Sequence, residues 1–244
     1  MDKSTEQAAS VYAVIPAAGS GSRFSSERPK QYYEIQGTAI LETSARLLLD
    51  IPRVSQLICA LSPGDHYWKD LEIFADTRVL TVDGGTSRAE SVLNALKAMD
   101  SYANSGDWVL VHDSVRPFAS SDDIQNLIEQ CESQDCGGLL VAPVDDTIKQ
   151  VNSEFDVEAT VDRSKLRAAQ TPQMFRYGKL KVALQNALDS GQEVTDEAMA
   201  IQRQGDRVIA VAGNRWNIKI TRPEDLLLAN YIAETRPIGA EEGN

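Results

Sequence analysis

An α/β fold, with a mostly parallel sheet and helices on both of its faces, is what this sequence predicts. Two observations carry the prediction. Short apolar runs alternate with segments of helical periodicity along the chain, and the first apolar run breaks directly into a glycine-rich turn. In a sheet of this kind ligands bind beyond the carboxyl ends of the strands.

The elements follow in order. Residues 11–16, Val-Tyr-Ala-Val-Ile-Pro, read as a short buried strand. The chain then passes through Ala17, Ala18, Gly19 and Gly21. The two glycines let backbone N–H groups converge on one point, and Arg23, Arg28 and Lys30 follow within a few residues. A glycine turn with convergent cations suits a triphosphate, whose charge must be neutralised by groups that approach closely. Phe24 stands where a dinucleotide fingerprint needs its third glycine, and no lysine follows Gly21 as a Walker loop requires. Residues 40–49 have helical periodicity, 54–62 and 79–82 read as strands, and 87–99 read as a helix. Ser87 followed by Glu90 is a capping-box pattern. The strand at 108–112 ends on His112-Asp113, on the same rim as the glycine turn. Strand alternation points His112 to the face opposite Asp113, into the core. Helices are predicted at 121–132, 178–188 and 195–204. Thr221 and Glu224 form a second capping-box pattern ahead of a last helix through Tyr231.

One segment breaks the alternation. Residues 139–144, 147–151 and 157–161 hold several β-branched residues with no helical pattern between them, and Asn152-Ser153 suits a turn. The predicted architecture is therefore a Rossmann-like sheet plus a protruding β-arm over 139–161. A two-stranded arm is marginal in water. It is expected to pack on the same arm of a second subunit in a two-fold dimer. A single domain over 11–235 is expected, with flexible termini at 1–10 and 236–244.

Composition sets limits on function. The 244 residues carry a formal net charge of −12 and are 42% hydrophobic. An acidic chain of this kind is not expected to bind nucleic acid or an anionic membrane. Three cysteines, Cys59, Cys131 and Cys136, make no disulfide framework, and a reducing cytoplasm is the simpler reading. The spacing of Cys131 and Cys136, with two histidines in the chain, does not match a structural zinc site. No stretch of 18 apolar residues predicts a membrane span.

Six motifs stand in order along 11–233: the glycine turn running into Pro29-Lys30-Gln31-Tyr32-Tyr33; Asp83-Gly84-Gly85-Thr86-Ser87-Arg88; Val111-His112-Asp113-Ser114-Val115-Arg116-Pro117; Thr171-Pro172-Gln173; Thr195-Asp196-Glu197-Ala198; and Asn217-Ile218-Lys219-Ile220-Thr221-Arg222-Pro223. Together they resemble the 2-C-methyl-D-erythritol 4-phosphate cytidylyltransferase family of the non-mevalonate isoprenoid pathway. The resemblance implies a nucleotide-diphospho-sugar transferase type of fold. It also implies transfer of CMP from CTP to a polyol phosphate with Mg²⁺, and a homodimer built on the β-arm. A ribitol-5-phosphate cytidylyltransferase shares most of these motifs. A non-catalytic nucleotide-binding module on the same fold is a third reading, disfavoured because it would not need Arg23, Lys30, Asp113 and Lys219 together.

The resemblance also assigns roles. Arg23, Lys30 and Lys219 match the cations at the transferring phosphate, and Asp113 matches the magnesium carboxylate. Ala17, Ala18 and Gly19 match backbone contacts to the nucleotide, and Gly84, Gly85 and Ser91 match the base pocket. Arg116, Thr147, Arg163 and Thr171 match the substrate side, with Arg163 also gripping the incoming phosphate. Three positions depart from the family pattern: Thr86 and Trp216 stand where an acidic residue is usual, and Ser114-Val115 replaces a small alanine pair. Two readings stay open for Arg88, part of the base pocket or a plain helix-start charge, and two for Asp196, a residue that supports the site from behind, as Thr171 also could, or a first-turn acid; Asp145 reads as a solvated turn residue, and Asp146 is left open.

Overall fold

The computed structural model describes residues 9–19, 24 and 28–236. The eleven strands among these residues are β1 (Val11–Ala17), β2 (Glu34–Ile35), β3 (Thr38–Ala39), β4 (Val54–Leu61), β5 (Val79–Asp83), β6 (Trp108–Val111), β7 (Gly137–Pro143), β8 (Ile148–Val151), β9 (Val157–Val161), β10 (Arg167–Arg176) and β11 (Val208–Ala212). The α-helices among them are α1 (Ile40–Leu49), α2 (Arg88–Ala98), α3 (Ser121–Gln134), α4 (Tyr177–Asp189), α5 (Glu197–Arg203) and α6 (Pro223–Thr235).

The central sheet has the order β11-β7-β10-β6-β1-β4-β5. Its strands are parallel except β10, which runs antiparallel to both β6 and β7. Why helices cover both faces is visible in β1. Val11, Ala13, Ile15 and Ala17 join one core cluster with residues of α1 and α3. Tyr12 and Val14 join a second with residues of α2, α4 and α5. A strand buried on both faces must be apolar throughout, which is why it reads as a continuous run and not as an alternation. β4 and β6 divide in the same way.

This topology places the carboxyl ends of β1, β5, β6 and β11 on one rim. The glycine turn, Gly84-Gly85, His112-Asp113 and the segment leading to Lys219 follow those four ends. A third, smaller cluster of Phe24, Ile35, Ile40, Val115, Ile220, Ala229 and Ala233 anchors the last segment beside the rim.

Several expectations need correction. Residues 139–144 are not part of the arm. They belong to β7, between β10 and β11 in the central sheet, with Leu140, Val141 and Ala142 buried. A run of apolar residues buried on both sides is an interior strand, so the arm is the β8–β9 hairpin alone, which pairs with no other strand among the described residues. Its turn is built on Asn152, whose Oδ1 accepts the N–H groups of Glu154 and Asp156. Ser10 does not belong to a loose lead, because its N–H donates to Asp107 and its carbonyl accepts from Trp108. Residues 1–8 and 237–244 of the expected flexible termini lie outside the described residues. At α2 the Ser87 hydroxyl caps Glu90 N–H as predicted, but the Glu90 carboxylate turns to Thr86. At α6 the acceptor is Asp225 and not Glu224: its carboxylate takes the N–H groups of Thr221 and Arg222.

Candidate active site

The rim encloses a cleft of about 370 Å³, within the ~300–1,000 Å³ of small-molecule sites. Ala18, Gly19, Lys30, Gly85, Ser91, Asp113 and Lys219 all line it. So does the N-terminus of α2, whose helix dipole favours an anion. Arg23 and Gly21 lie outside the described residues.

Asp113 is the centre of the charge pattern. Arg88 Nε donates to its Oδ1 at 3.0 Å, while Lys219 Nζ and Arg116 Nε stand 2.9 and 3.5 Å from its Oδ2. Burial by itself would raise the Asp113 pKa. Arg88, Lys219 and Arg116 outweigh that effect and hold the group well below the ordinary carboxylate range.

The three cations are anchored differently. Arg88 also bonds Glu197 of α5. Arg116 donates to the carbonyls of Asn217 at 2.6 Å and Ala169 at 3.4 Å, and it is not among the residues lining the cleft. Lys219 is carried by a segment whose neighbours are buried. Ile220 is in the core and its N–H bonds Val115, and Asn217 is in the core and its amide donates to Thr171. Lys219 is left facing the cleft.

Below Asp113 lies a buried polar strut. Thr171 Oγ1 accepts the Asp113 N–H and lies 3.0 Å from His112 Nδ1. His112 Nε2 lies 2.9 Å from the Arg116 carbonyl. A carbonyl only accepts, so Nε2 carries the proton and Nδ1 accepts from the Thr171 hydroxyl. Burial pushes the His112 pKa down to about 4, consistent with this neutral form. His112 is thus buried, as strand alternation predicts.

The glycine pair packs tightly. A Cβ on Gly84 would stand 2.3 Å from the Ala18 Cβ, so the two loops close on one another only with glycine there. The Ser91 hydroxyl accepts from Gly85 N–H and donates to the Ser87 carbonyl, which fixes the turn. Ala17, at the end of β1, is buried, and its carbonyl accepts from Gln31. Thr147 and Arg163 are exposed and do not line the cleft of their own chain.

Comparison with known proteins decides among the readings. Residues 11–235 match the family model described as "IspD: 2-C-methyl-D-erythritol 4-phosphate cytidylyltransferase". The chain belongs to this family. It is 45% identical over 222 residues to the 2-C-methyl-D-erythritol 4-phosphate cytidylyltransferase of Vibrio vulnificus, covering 91% of this chain and 94% of that protein. It is 47% identical over 216 residues to the one from Pseudomonas syringae pv. tomato, covering 88% and 92%. Among solved structures, the Francisella tularensis 2-C-methyl-D-erythritol 4-phosphate cytidylyltransferase superposes with a TM-score of 0.79 at 35% identity, covering 91% of this chain and 99% of that one. The Thermus thermophilus cytidylyltransferase gives 0.76 at 32%, covering 92% and 99%.

For a metal-dependent cytidylyltransferase the donor set is informative. Among the described residues no group of three or more His, Cys, Asp or Glu side chains could hold an ion. The residues therefore do not fit a resident metal held by protein alone. They do fit a Mg²⁺ ion delivered with a triphosphate, which needs one or two carboxylates and completes its shell with phosphate and water. Asp113 is the carboxylate that lines the cleft. Trp216 supplies no second one; it is partly exposed beneath the Arg236 guanidinium.

One pairing in the site escapes sequence reasoning, that of Arg88 with Glu197. It spans 109 positions and has no local signature. Asp196 is the N-cap of α5, its carboxylate taking Met199 N–H and the Gln173 amide. Asp145, expected as a solvated turn residue, pairs on the surface with Arg215.

Proposed function

We propose that this cleft binds CTP with Mg²⁺ and transfers CMP to 2-C-methyl-D-erythritol 4-phosphate, giving 4-diphosphocytidyl-2-C-methyl-D-erythritol and pyrophosphate. The observation that carries the reading is the buried, ionised Asp113 ringed by three cations on a glycine-lined rim, in a chain 45% identical to a cytidylyltransferase over nearly its whole length.

The chemistry needs no protein nucleophile. A phosphate oxygen of the acceptor attacks the α-phosphorus of CTP and a P–O bond forms. The bond from that phosphorus to the bridging oxygen breaks, and pyrophosphate leaves with the electron pair. Both reactants are anions, so alignment and charge neutralisation are the main tasks. Lys30 and Lys219 serve the transferring phosphate, joined by Arg23. The α2 N-terminus and the backbone of Ala18 and Gly19 hold the nucleotide. The turn at Gly84-Gly85, fixed by Ser91, receives the base. Bound on Asp113, Mg²⁺ supplies charge neutralisation at the phosphates. Arg116 and Thr171 brace Asp113 from below.

The acceptor side is incomplete in one chain, because Thr147 and Arg163 lie outside its cleft. We assign them to the cleft of a second copy, brought there by a homodimer through the β8–β9 arm. Val151, Phe155 and Val157 are exposed apolar residues on that arm, with Phe155 at 85% exposure, and an isologous pairing would cover them. The site of action is the cytoplasm, consistent with three free cysteines. Among the described residues no helix is long and apolar enough to cross a membrane.

The test is pyrophosphate release from CTP with 2-C-methyl-D-erythritol 4-phosphate beside ribitol 5-phosphate. Release with the first acceptor supports the reading. Turnover confined to the ribitol ester, or none with either, refutes it.

A further inference from the structure

The buried carboxylate of Glu197 has no part in the mechanism above. Its side chain is 1% exposed at the start of α5. Burying a carboxylate is costly unless it is paired. Here Oε1 bonds Arg88 Nη1, and Oε2 has no hydrogen-bond partner among the described residues. Within the described structure its charge is paired through Arg88. Arg88 in turn places Nε on Asp113 Oδ1. Its guanidinium, always charged in proteins, thus stands between two carboxylates. The start of α5 is itself clamped: Gln173 accepts Ala198 N–H at 2.9 Å and donates to Asp196 at 3.0 Å. Gln173 belongs to β10, the strand that carries Thr171 beneath Asp113.

We infer that Glu197 is a positioning residue that acts through Arg88, fixing the Asp113 carboxylate so that Oδ1 stays hydrogen-bonded while Oδ2, paired with Lys219 at 2.9 Å and approached by Arg116 only at 3.5 Å, is the oxygen that meets the metal-nucleotide. Glu197 does not itself line the cleft. The difference in anchoring supports this assignment. Arg88 and Arg116 each hold further partners, whereas Lys219 has Asp113 as its ion-pair partner and is 41% exposed. A cation on a flexible stem can leave; a guanidinium forked between two carboxylates cannot leave without exposing a buried charge.

The inference rests on the reading of Asp113 as the metal carboxylate, and the experiment separates the two. Glu197→Gln is compared with wild type, with Asp113→Asn and with the double variant. Arg88→Lys, which keeps a charge but loses the fork, serves as a second probe should Glu197→Gln fold poorly. The readouts are kcat, the Mg²⁺ concentration for half-activity, and Mg²⁺-dependent CTP affinity by calorimetry without the polyol phosphate. Glu197→Gln and Arg88→Lys should each lose roughly tenfold to a hundredfold in kcat and in Mg²⁺-dependent CTP affinity. In the Asp113→Asn background Glu197→Gln should add less than about twofold, because the two act on one group. A Glu197→Gln protein with a lower Tm but unchanged kcat, Mg²⁺ requirement and CTP affinity would overturn the inference, as would full additivity with Asp113→Asn. If Asp113→Asn by itself changes none of the three readouts, the metal assignment fails and takes the inference with it.

Discussion

Lys219 Nζ lies 2.9 Å from Asp113 Oδ2, so the carboxylate of the cleft and the lysine proposed to serve the transferring phosphate are paired with each other. On the proposed binding mode the two part when the metal-nucleotide arrives. Lys219→Ala should therefore have opposite effects on two observables. It removes a cation from the transferring phosphate, and kcat should fall on the order of 10²–10³. It also removes the nearest cation from Oδ2, leaving Arg116 at 3.5 Å, and the Mg²⁺ concentration for half-activity should fall. Steady-state assays across a Mg²⁺ titration check both, and a raised Mg²⁺ requirement would contradict the exchange.

Two glycines of the rim should respond differently to one methyl group. At Gly84 a Cβ meets the Ala18 Cβ at 2.3 Å, whereas at Gly19 it meets nothing within 4 Å. Gly84→Ala should thus lose about 1–3 kcal/mol in urea unfolding through overpacking. Gly19→Ala should keep wild-type stability and instead weaken CTP binding, since its methyl occupies space reserved for the nucleotide. Equal stability of the two variants would refute the close packing of the loops.

The buried imidazole sets a pH dependence. Its folded pKa of about 4 lies below the unfolded value of about 6.5. The unfolded state therefore takes up the proton first as pH falls. The contribution of neutral His112 is complete above about pH 6.5 and is lost as pH drops towards 4. It amounts to about 3 kcal/mol at most. Asp113 acts in a lower window, because a depressed carboxylate loses its contribution only below an unfolded pKa of about 4. Denaturant unfolding in metal-free buffer from pH 7.5 to 4.5 should show a steeper decline for wild type than for His112→Gln. Parallel curves would show that His112 does not titrate in this way.

Much of the fold was legible because its signals are local. β1 and α1 stand where an apolar run and a 3.6-residue period put them. The glycine turns and Asp113 were legible for the same reason: chemistry at strand ends is written in short motifs. β10 was not legible. Its buried half is Gln-Thr-Pro-Gln-Met-Phe, and Pro172 falls where pairing with β7 is interrupted between Ala169 and Gln173. The start of the arm was misplaced because β-branched content marks a strand and not its partner. Thr171 reads both as a substrate-side residue and as one that supports the site from behind, and its bonds beneath Asp113 and to His112 agree with the second reading. Such a contact depends on tertiary packing, as does the pairing of Arg88 with Glu197.

The proposed composite site is open to a subunit-mixing test. Lys30→Ala and Arg163→Ala proteins should each be nearly inactive. After subunit exchange about half the dimers are mixed, and in each of these one site carries both lesions and the other none. Activity should return to about a quarter of wild type per site. No recovery, with exchange confirmed by mass spectrometry, would place both residues in one chain's site.

The most direct measurement is a crystal structure with CTP and Mg²⁺ bound. The account predicts a triphosphate at the α2 N-terminus, the cytosine at Gly84-Gly85, and Lys219 moved from Asp113 onto phosphate, with Arg88 still bridging Asp113 and Glu197. A nucleotide seated elsewhere, or bound here with the Lys219–Asp113 pair closed and the metal away from Asp113, would contradict it.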